Sequence, residues 1–247
     1  MAKKIHICAL CVALVFGVLL TSDARADLFT DIYSMTNNSG VSDQLAEQFA
    51  IDVEVNSGVV SFTFYNNYDP DTGQIKTGDP WSWTDPTGPG PDDYIPSSIT
   101  DIYFADGELF DLTQPVTISS NGQVSFSSPA DPANPKFPSP VVWTTFYSAD
   151  SDPGSPGVML NGVNEFPTFT EDVTISFALK DSATTTEQIL YDLYNPRSDY
   201  GLLIGLHVQE IGGTGGTSDW FVTPVPGAVI LGLIGLGAAG IKLRKYT

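Results

Sequence analysis

The sequence is short of cysteine, histidine and basic residues, and each shortage excludes a class of chemistry. Its 247 residues include two cysteines and two histidines, which leaves little for thiol catalysis, disulfides or zinc sites. Lysine and arginine number 10 against 29 aspartate and glutamate residues, a formal net charge of −19. Such a charge repels phosphate backbones, so we expect no nucleic acid among the partners. The chain as a whole is 42% hydrophobic and 11% aromatic, which is too apolar for a disordered acidic tail.

The N-terminus has the pattern of a secretory signal peptide. Lys3-Lys4 forms a positively charged start, and the segment Ile5–Leu20 is apolar apart from one histidine. Ala24-Arg25-Ala26 then supplies the small residues of a signal peptidase site, which predicts cleavage before Asp27. The alternative is an uncleaved membrane anchor, which the short apolar run and the cleavage site disfavour.

The cysteines belong to this signal segment. Cys8 and Cys11 have the C-x-x-C spacing of redox and zinc motifs, but both lie inside the apolar run. Cleavage before Asp27 would remove them both. We therefore expect the mature protein to contain no disulfide and no thiol nucleophile.

The C-terminus has three successive parts that together resemble a sorting signal. Pro224-Val225-Pro226-Gly227 comes first, Ala228–Ile241 is wholly apolar, and a basic cluster follows, made of Lys242, Arg244 and Lys245. The apolar stretch from 227 to 241 would form about 22 Å of helix, against a bilayer core of about 30 Å. The four glycines that follow Gly227 in it, at 232, 235, 237 and 240, add little apolar surface. So weak a span suits a temporary anchor better than a permanent one. A permanent single-pass anchor is the alternative.

These three parts resemble the PEP-CTERM sorting tail of exported bacterial surface proteins. In that family a Pro-Glu-Pro-like motif precedes the apolar helix, whereas Val225 stands between the prolines here. The resemblance implies partners: signal peptidase, the membrane around the helix, and an exosortase-like transpeptidase that processes the tail. It implies export to the cell envelope, cell surface or extracellular matrix. The domain boundaries that follow are a signal peptide at 1–26, an ectodomain at 27–222, and a sorting tail at 223–247 with its transmembrane helix at 227–241.

The body between the two ends is predicted to be mainly β. Phe49–Val55 and Val60–Tyr65 alternate apolar and polar residues on either side of Asn56-Ser57-Gly58, a hairpin pattern. Pro115–Ile118 and Val124–Phe126 flank Asn121-Gly122 and predict a second hairpin. Further strands are expected at Ile99–Phe104, Val141–Tyr147, Val173–Leu179 and, as a central strand, Tyr200–Ile211.

The remaining segments predict one helix and several loops. Thr184 and Glu187 form a capping-box pattern before the apolar positions Ile189, Leu190 and Leu193. The stretches Tyr68–Ser98 and Pro129–Pro140 are expected to be long loops. Gly212–Gly216 is either a turn before a last strand at Trp220–Val222 or the start of a stalk. The expected fold is an antiparallel β-sandwich or jelly-roll-like domain with one short helix, plus an N-terminal signal helix and a C-terminal transmembrane helix.

The body also resembles a recurrent all-β ectodomain of PEP-CTERM proteins, over residues 58 to 222. The matching pieces are Ser98–Phe104, Ser148–Pro153, Asn161–Asn164 and Gly205–Gln209. This resemblance implies an architecture and a location, and it brings no catalytic residues with it.

One histidine and two groups of residues are the candidates for a catalytic, metal-binding or sugar-binding site. His207 is the one histidine outside the signal segment, but no G-x-S-x-G motif accompanies it, so we interpret it as structural and expect no enzyme. Asn67, Asp69 and Asp71 alternate as in calcium loops and form a weak calcium candidate, or else a solvated acidic loop. Trp81 and Trp83 are candidates for stacking on sugar rings, or for pinning the long loop.

The sequence thus predicts an exported, non-enzymatic cell-surface or extracellular-matrix protein that a membrane tail anchors temporarily. A lectin-like carbohydrate-binding module, with an extracellular polysaccharide as partner, is the alternative. An extracellular hydrolase ranks last. No cofactor is expected apart from the weak calcium candidate.

Overall fold

A computed structural model describes residues 27–75, 95–105, 108–121, 124–131, 144–151, 162–164, 171–195, 201–212 and 216–224. The predicted signal segment, the candidate residues Trp81 and Trp83, and the tail from Val225 onward lie outside these residues. None of the helices among the described residues is long and apolar enough to cross a membrane.

The described residues are mainly β-strand, and every strand pairing among them is antiparallel. The strands, numbered in chain order, are β1 (Asp27–Phe29), β2 (Tyr33–Ser34), β3 (Ala50–Asn56), β4 (Val59–Tyr65), β5 (Tyr68–Asp69), β6 (Gln74–Ile75), β7 (Ser98–Ala105), β8 (Thr117–Asn121), β9 (Phe126–Ser127), β10 (Thr145–Ser151), β11 (Val163–Asn164), β12 (Asp172–Ala178), β13 (Leu203–Ile211) and β14 (Thr217–Val222). The prediction of a mainly β protein with antiparallel sheets is confirmed.

Within the described ranges the strands form two large sheets and one small hairpin. The five-stranded sheet has the order β1-β3-β4-β12-β8. The seven-stranded sheet has the order β2-β14-β13-β7-β10-β9, with β11 also paired to β7. Strands β5 and β6 pair only with each other. Strand β13 lies between two neighbours, so its prediction as a central strand is confirmed. Strand β14 pairs with β13, which confirms the prediction of a last strand after the glycine-rich segment.

The first predicted hairpin is confirmed. Strands β3 and β4 pair from Ala50 and Tyr65 to Asn56 and Val59. The two turn residues, Ser57 and Gly58, have φ angles of 52° and 78°. Such left-handed angles match the type I′ turn, whose twist fits the twist of the two strands.

The second predicted hairpin is wrong, because its two strands belong to different sheets. Strand β8 pairs with β12 in the five-stranded sheet, and β9 pairs with β10 in the seven-stranded sheet. Strand β4 occupies only one edge of β12, and β8 satisfies the backbone groups of the other edge. The chain therefore crosses between the sheets where the sequence pattern predicted a tight turn.

Aromatic side chains join the two large sheets in one core. The ring of Phe104 on β7 has its centroid 5.4 Å from that of Phe62 on β4 and 4.9 Å from that of Phe177 on β12. Phe49 and Phe221 make a similar contact at 5.0 Å. All five rings are buried, and each contributes about 1.5 to 3 kcal/mol through its removal from water.

Two helices occur among the described residues, one more than the sequence predicts. Helix α1 (Ser42–Ala46) has five residues, too few for a helical periodicity to be visible in the sequence. Helix α2 (Thr186–Tyr194) is the predicted one, but its cap lies one residue later than expected. The Thr185 hydroxyl accepts from the Gln188 backbone N–H, and the Gln188 side chain accepts from the Thr185 backbone N–H. The predicted pair of Thr184 and Glu187 is therefore replaced by its neighbours.

Candidate functional site

The last described residues before the predicted sorting motif are fixed by hydrogen bonds. Thr223 is buried, its backbone N–H donates to the Ile204 carbonyl at 2.9 Å, and its hydroxyl accepts from the Ile204 N–H at 3.0 Å. Pro224, the first residue of the predicted sorting motif, follows directly and is half-buried. The other motif residues, Val225, Pro226 and Gly227, lie outside the described residues, as does the basic cluster. The backbone hydrogen bond of Thr223 therefore lies directly before Pro224, the first residue of the motif.

The residue that follows the predicted cleavage site is the first described residue and belongs to a strand. Asp27 of β1 lies opposite Val53 of β3. Ala24 and Ala26, the predicted cleavage residues, lie outside the described residues. Cleavage before Asp27 would leave the β1 pairing intact.

A buried carboxylate connects the segment from Thr36 to Ser39 to the final strand, β14. The side chain of Asp219 on β14 accepts hydrogen bonds from the Thr36 hydroxyl at 2.8 Å, the Asn38 N–H at 2.7 Å, the Ser39 N–H at 3.1 Å and the Ser39 hydroxyl at 2.6 Å. Burial alone would raise the pKa of Asp219, but the hydrogen bonds from Ser39, Asn38 and Thr36 together hold it below its ordinary value. The carboxylate therefore stays charged and joins segments that are about 180 residues apart.

The calcium candidates have different environments in the fold. Asp69 is buried, and its carboxylate accepts from the Asp71 N–H at 3.0 Å and from the Thr72 hydroxyl at 2.8 Å. Asp69 therefore stabilises its own turn between β5 and β6. Asn67 is also buried, whereas Asp71 is exposed. Among the described residues, no group of three or more histidine, cysteine or acidic side chains is arranged to hold a metal ion. Calcium binding by this loop stays a prediction.

The structure brings together a polar cluster that the sequence did not reveal. It lies on the face of the seven-stranded sheet that points away from the core. The His207 Nδ1 atom lies 2.8 Å from Asp101 Oδ2, and the imidazole stacks on the ring of Trp220 at a centroid distance of 4.3 Å and an angle of 17°. Asp101 also accepts from the hydroxyls of Thr100 at 2.7 Å and Tyr103 at 3.1 Å. His207, Asp101 and Trp220, with these hydroxyl groups, form what we name the imidazole cluster.

A second carboxylate adjoins the imidazole cluster. Asp150 on β10 lies directly opposite Asp101 on β7. Burial is the largest cause that raises the pKa of Asp150, and the charge of Asp101 adds to it, although the Asp131 N–H donates to this carboxylate at 2.9 Å. Burial also raises the pKa of the Tyr103 hydroxyl, as do the charge of Asp101 and the hydrogen bond to it. The Tyr103 hydroxyl therefore remains a proton donor at all ordinary pH values.

The geometry of the imidazole cluster suits structural support. The Nδ1 atom of His207 faces the Asp101 carboxylate, and the His207 side chain is 18% exposed. Within the part of the chain that the structure describes, the imidazole has no serine or threonine hydroxyl as a partner, which a catalytic triad would require. Sequence reasoning identified His207 but missed Asp101, because their pairing across β7 and β13 depends on strand register. The one available signal was the alternation of Asp101 and Tyr103 with apolar Ile102 and Phe104.

Comparisons of the chain with protein-family models, with curated proteins and with solved structures found no match.

Proposed function

We propose that the chain is an exported, non-enzymatic surface or extracellular-matrix protein, anchored temporarily by its C-terminal helix and sorted by an exosortase-like transpeptidase. In this proposal the body is an ectodomain of the β-sandwich or jelly-roll-like class. A signal helix precedes it, and a transmembrane helix at 227–241 follows it. The observation that carries the proposal is the joint presence of a signal-peptide pattern and a three-part tail in one chain.

The strands next to the two predicted cuts support this proposal. Asp27, directly after the predicted signal cleavage site, is already part of strand β1. The final strand ends at Val222, and the hydrogen bonds of Thr223 come before the first proline of the motif. Both processing events would therefore cut outside the strands and would leave the packed core unchanged.

The proposal assigns no catalytic activity to the body. Within the body, the imidazole of His207 is held by Asp101 and stacks on Trp220. The acidic surface supports an extracellular role, because a large net charge keeps a protein soluble and self-repelling. All acidic residues except Asp23 lie in the body, against four basic residues there, Lys76, Lys136, Lys180 and Arg197.

The deciding experiment is an intact mass of the protein recovered from the cell surface or the medium. The proposal expects a chain that starts at Asp27 and ends between Pro224 and Gly227. A chain from Asp27 to Thr247 found only in the membrane fraction would mean a permanent anchor, and the sorting role would have to be abandoned. Replacement of Pro224 and Pro226 by alanine should block the C-terminal cut and leave the N-terminal cut unchanged.

Carbohydrate binding is the second candidate, and the pair Trp81-x-Trp83 in an acidic loop is what favours it. Two rings at this spacing offer apolar faces to a sugar ring. The test is a pull-down of the protein on insoluble polysaccharides, compared with a W81A/W83A variant. Equal retention of both proteins would remove the basis for this candidate.

A further inference from the structure

The surface around the C-terminal exit of the fold carries two exposed tyrosines. Tyr33 on β2 lies opposite Val222, the last residue of β14, and is 52% exposed. Tyr194, at the end of α2, is 44% exposed, and its ring centroid lies 4.7 Å from that of Phe29. Burial is the largest cause that raises the pKa of the Tyr194 hydroxyl, and Asp31 and Tyr33 contribute through their charges. Tyr194 packs on Phe29, which precedes Asp31 by two residues and Tyr33 by four, so the two tyrosines and Asp31 belong to one region of the surface, which we name the exit surface.

The length of the chain constrains how far this surface can be from a membrane. Paired residues of antiparallel strands have Cα atoms about 4.5 to 5.5 Å apart, so Tyr33 lies within about 10 Å of Thr223. Thr223 is fixed to Ile204 by two hydrogen bonds. Only Pro224, Val225 and Pro226 separate it from Gly227, where the predicted membrane helix begins. Four residue steps of extended chain span about 14 Å at most.

We propose that the exit surface, formed by Tyr33, Tyr194 and Asp31, contacts the lipid headgroup region while the tail holds the protein in the membrane. This inference rests on the proposed function, since it requires the helix at 227–241 to be inserted. The headgroup region on each side of a bilayer is about 5 to 8 Å thick, so a tether of about 14 Å keeps the exit end of the fold against it. Tyrosine is enriched at this interface, where its ring lies among apolar groups and its hydroxyl stays hydrated.

The charge of the protein specifies the kind of lipid. Asp31 lies within the exit surface, and the body around it is strongly acidic. Anionic headgroups would repel this surface, whereas zwitterionic headgroups would not. The contact is therefore stronger on phosphatidylcholine than on vesicles that contain phosphatidylglycerol.

A fluorescent probe at position 31 tests the proposal. The chain that remains after cleavage before Asp27, residues 27–247, contains no cysteine of its own. It is given a single cysteine by Asp31→Cys, labelled with a solvatochromic dye and reconstituted in phosphatidylcholine vesicles that carry a headgroup-proximal nitroxide quencher. We expect a blue shift and at least twofold quenching. Ser119→Cys, on exposed β8 at the opposite edge of the five-stranded sheet, is the matched control and should show neither.

Substitution of the tyrosines tests their contribution. Y33S/Y194S in the labelled chain should lose at least half of the quenching, whereas Leu112→Ser, at an exposed apolar residue elsewhere, should lose none. If the chain stays in the vesicles but the probe at 31 behaves like the probe at 119, the exit surface does not contact lipid and the sorting proposal survives. If the chain does not enter vesicles at all, the anchor itself is refuted together with this contact. A probe response that needs no lipid and grows with protein concentration would assign the surface to a second copy of the chain instead.

Discussion

The two large sheets hold their polar side chains in opposite ways. In the seven-stranded sheet, Asp101 and Asp219 are buried and each accepts several hydrogen bonds. In the five-stranded sheet, the outward face carries hydroxyl pairs, with Thr63 and Thr174 at 2.8 Å and a similar serine pair beside them. The buried carboxylates fix segments that are distant in sequence, whereas the hydroxyl pairs repeat along two neighbouring strands. We infer that the first set specifies the structure and that the second set is replaceable.

Acidic residues of the five-stranded sheet sharpen this contrast. The Oδ1 atom of Asp52 is buried and has no hydrogen-bond partner among the described residues. Burial is the largest cause that raises the pKa of Asp52, and the charges of Glu54 and Asp27 add to it. Burial, followed by the charges of Asp172 and Asp52, raises the pKa of Tyr65 to about 12. Where Asp219 is stabilised as an anion, Asp52 is destabilised as one.

Asp219→Ala should have the largest effect on stability. It would leave the donors of Thr36, Asn38 and Ser39 without their acceptor, at a cost of about 3 kcal/mol in the free energy of unfolding. Because the folded pKa of Asp219 is lowered, its contribution is complete above the unfolded pKa of about 3.9 and disappears as the pH falls through the folded value. Urea unfolding at pH 7 and at pH 2.5 should show a difference between wild type and variant that shrinks in acid. An equal difference at both pH values would contradict the assigned role of the charge.

Asp101→Ala should have the next largest effect and lower the free energy of unfolding by about 2 kcal/mol. The reason is that His207 and the Tyr103 hydroxyl would both lose the carboxylate that accepts their hydrogen bonds. Asp101→Asn is the matched control, since it keeps the shape and one acceptor oxygen, and it should cost about half as much. Near-ultraviolet circular dichroism should report the loss of order around Trp220 in the alanine variant. A cost below about 0.5 kcal/mol for Asp101→Ala would mean that the imidazole cluster contributes no more than an ordinary surface group.

Asp52→Asn should stabilise the fold, with a free energy of unfolding higher by about 0.5 kcal/mol at pH 7. A carboxylate whose folded pKa is raised destabilises the fold as the pH rises from the unfolded pKa through the folded one. Removal of its charge should therefore raise the melting temperature at pH 7 and leave it unchanged at pH 3. Glu54→Gln, on the same strand, serves as the comparison for a general loss of negative charge. If both variants stabilise equally, the effect belongs to net charge and not to the environment of Asp52.

The double variant T63V/T174V should have the smallest effect, within about 0.5 kcal/mol of wild type, because both partners of the hydrogen bond are removed together with little change of shape. Thermal melting is sufficient to measure it. The single variant T63V should be no more than slightly destabilised, since water can reach the remaining hydroxyl on this half-buried face. A loss of 2 kcal/mol in the double variant would remove the contrast between the sheets.

The sequence predicted those parts of the fold that depend on neighbours in the chain. The turn at Ser57 and Gly58 and the apolar face of β13 follow from local spacing, and the structure confirms both. The pairing of β8 with β12 could not be predicted, because it depends on which strand edge remains open after the sheet has formed. The same reason explains why Asp101 was missed as the partner of His207. Two residues 106 positions apart meet only through the register of β7 and β13.

If the chain is exported as proposed, the contact between Asp219 and the segment around Thr36 has a consequence for the timing of its folding. A chain that crosses a membrane from its N-terminus delivers residues 36–39 at the start and Asp219 near the end, 183 residues after Thr36. The first strands must therefore wait for almost the whole chain before β14 can close beside β2. By then only a few residues remain between Thr223 and the apolar tail. An anchor that halts in the membrane would hold the domain at the translocation channel during the last step of its folding, and a later cut would release a finished domain.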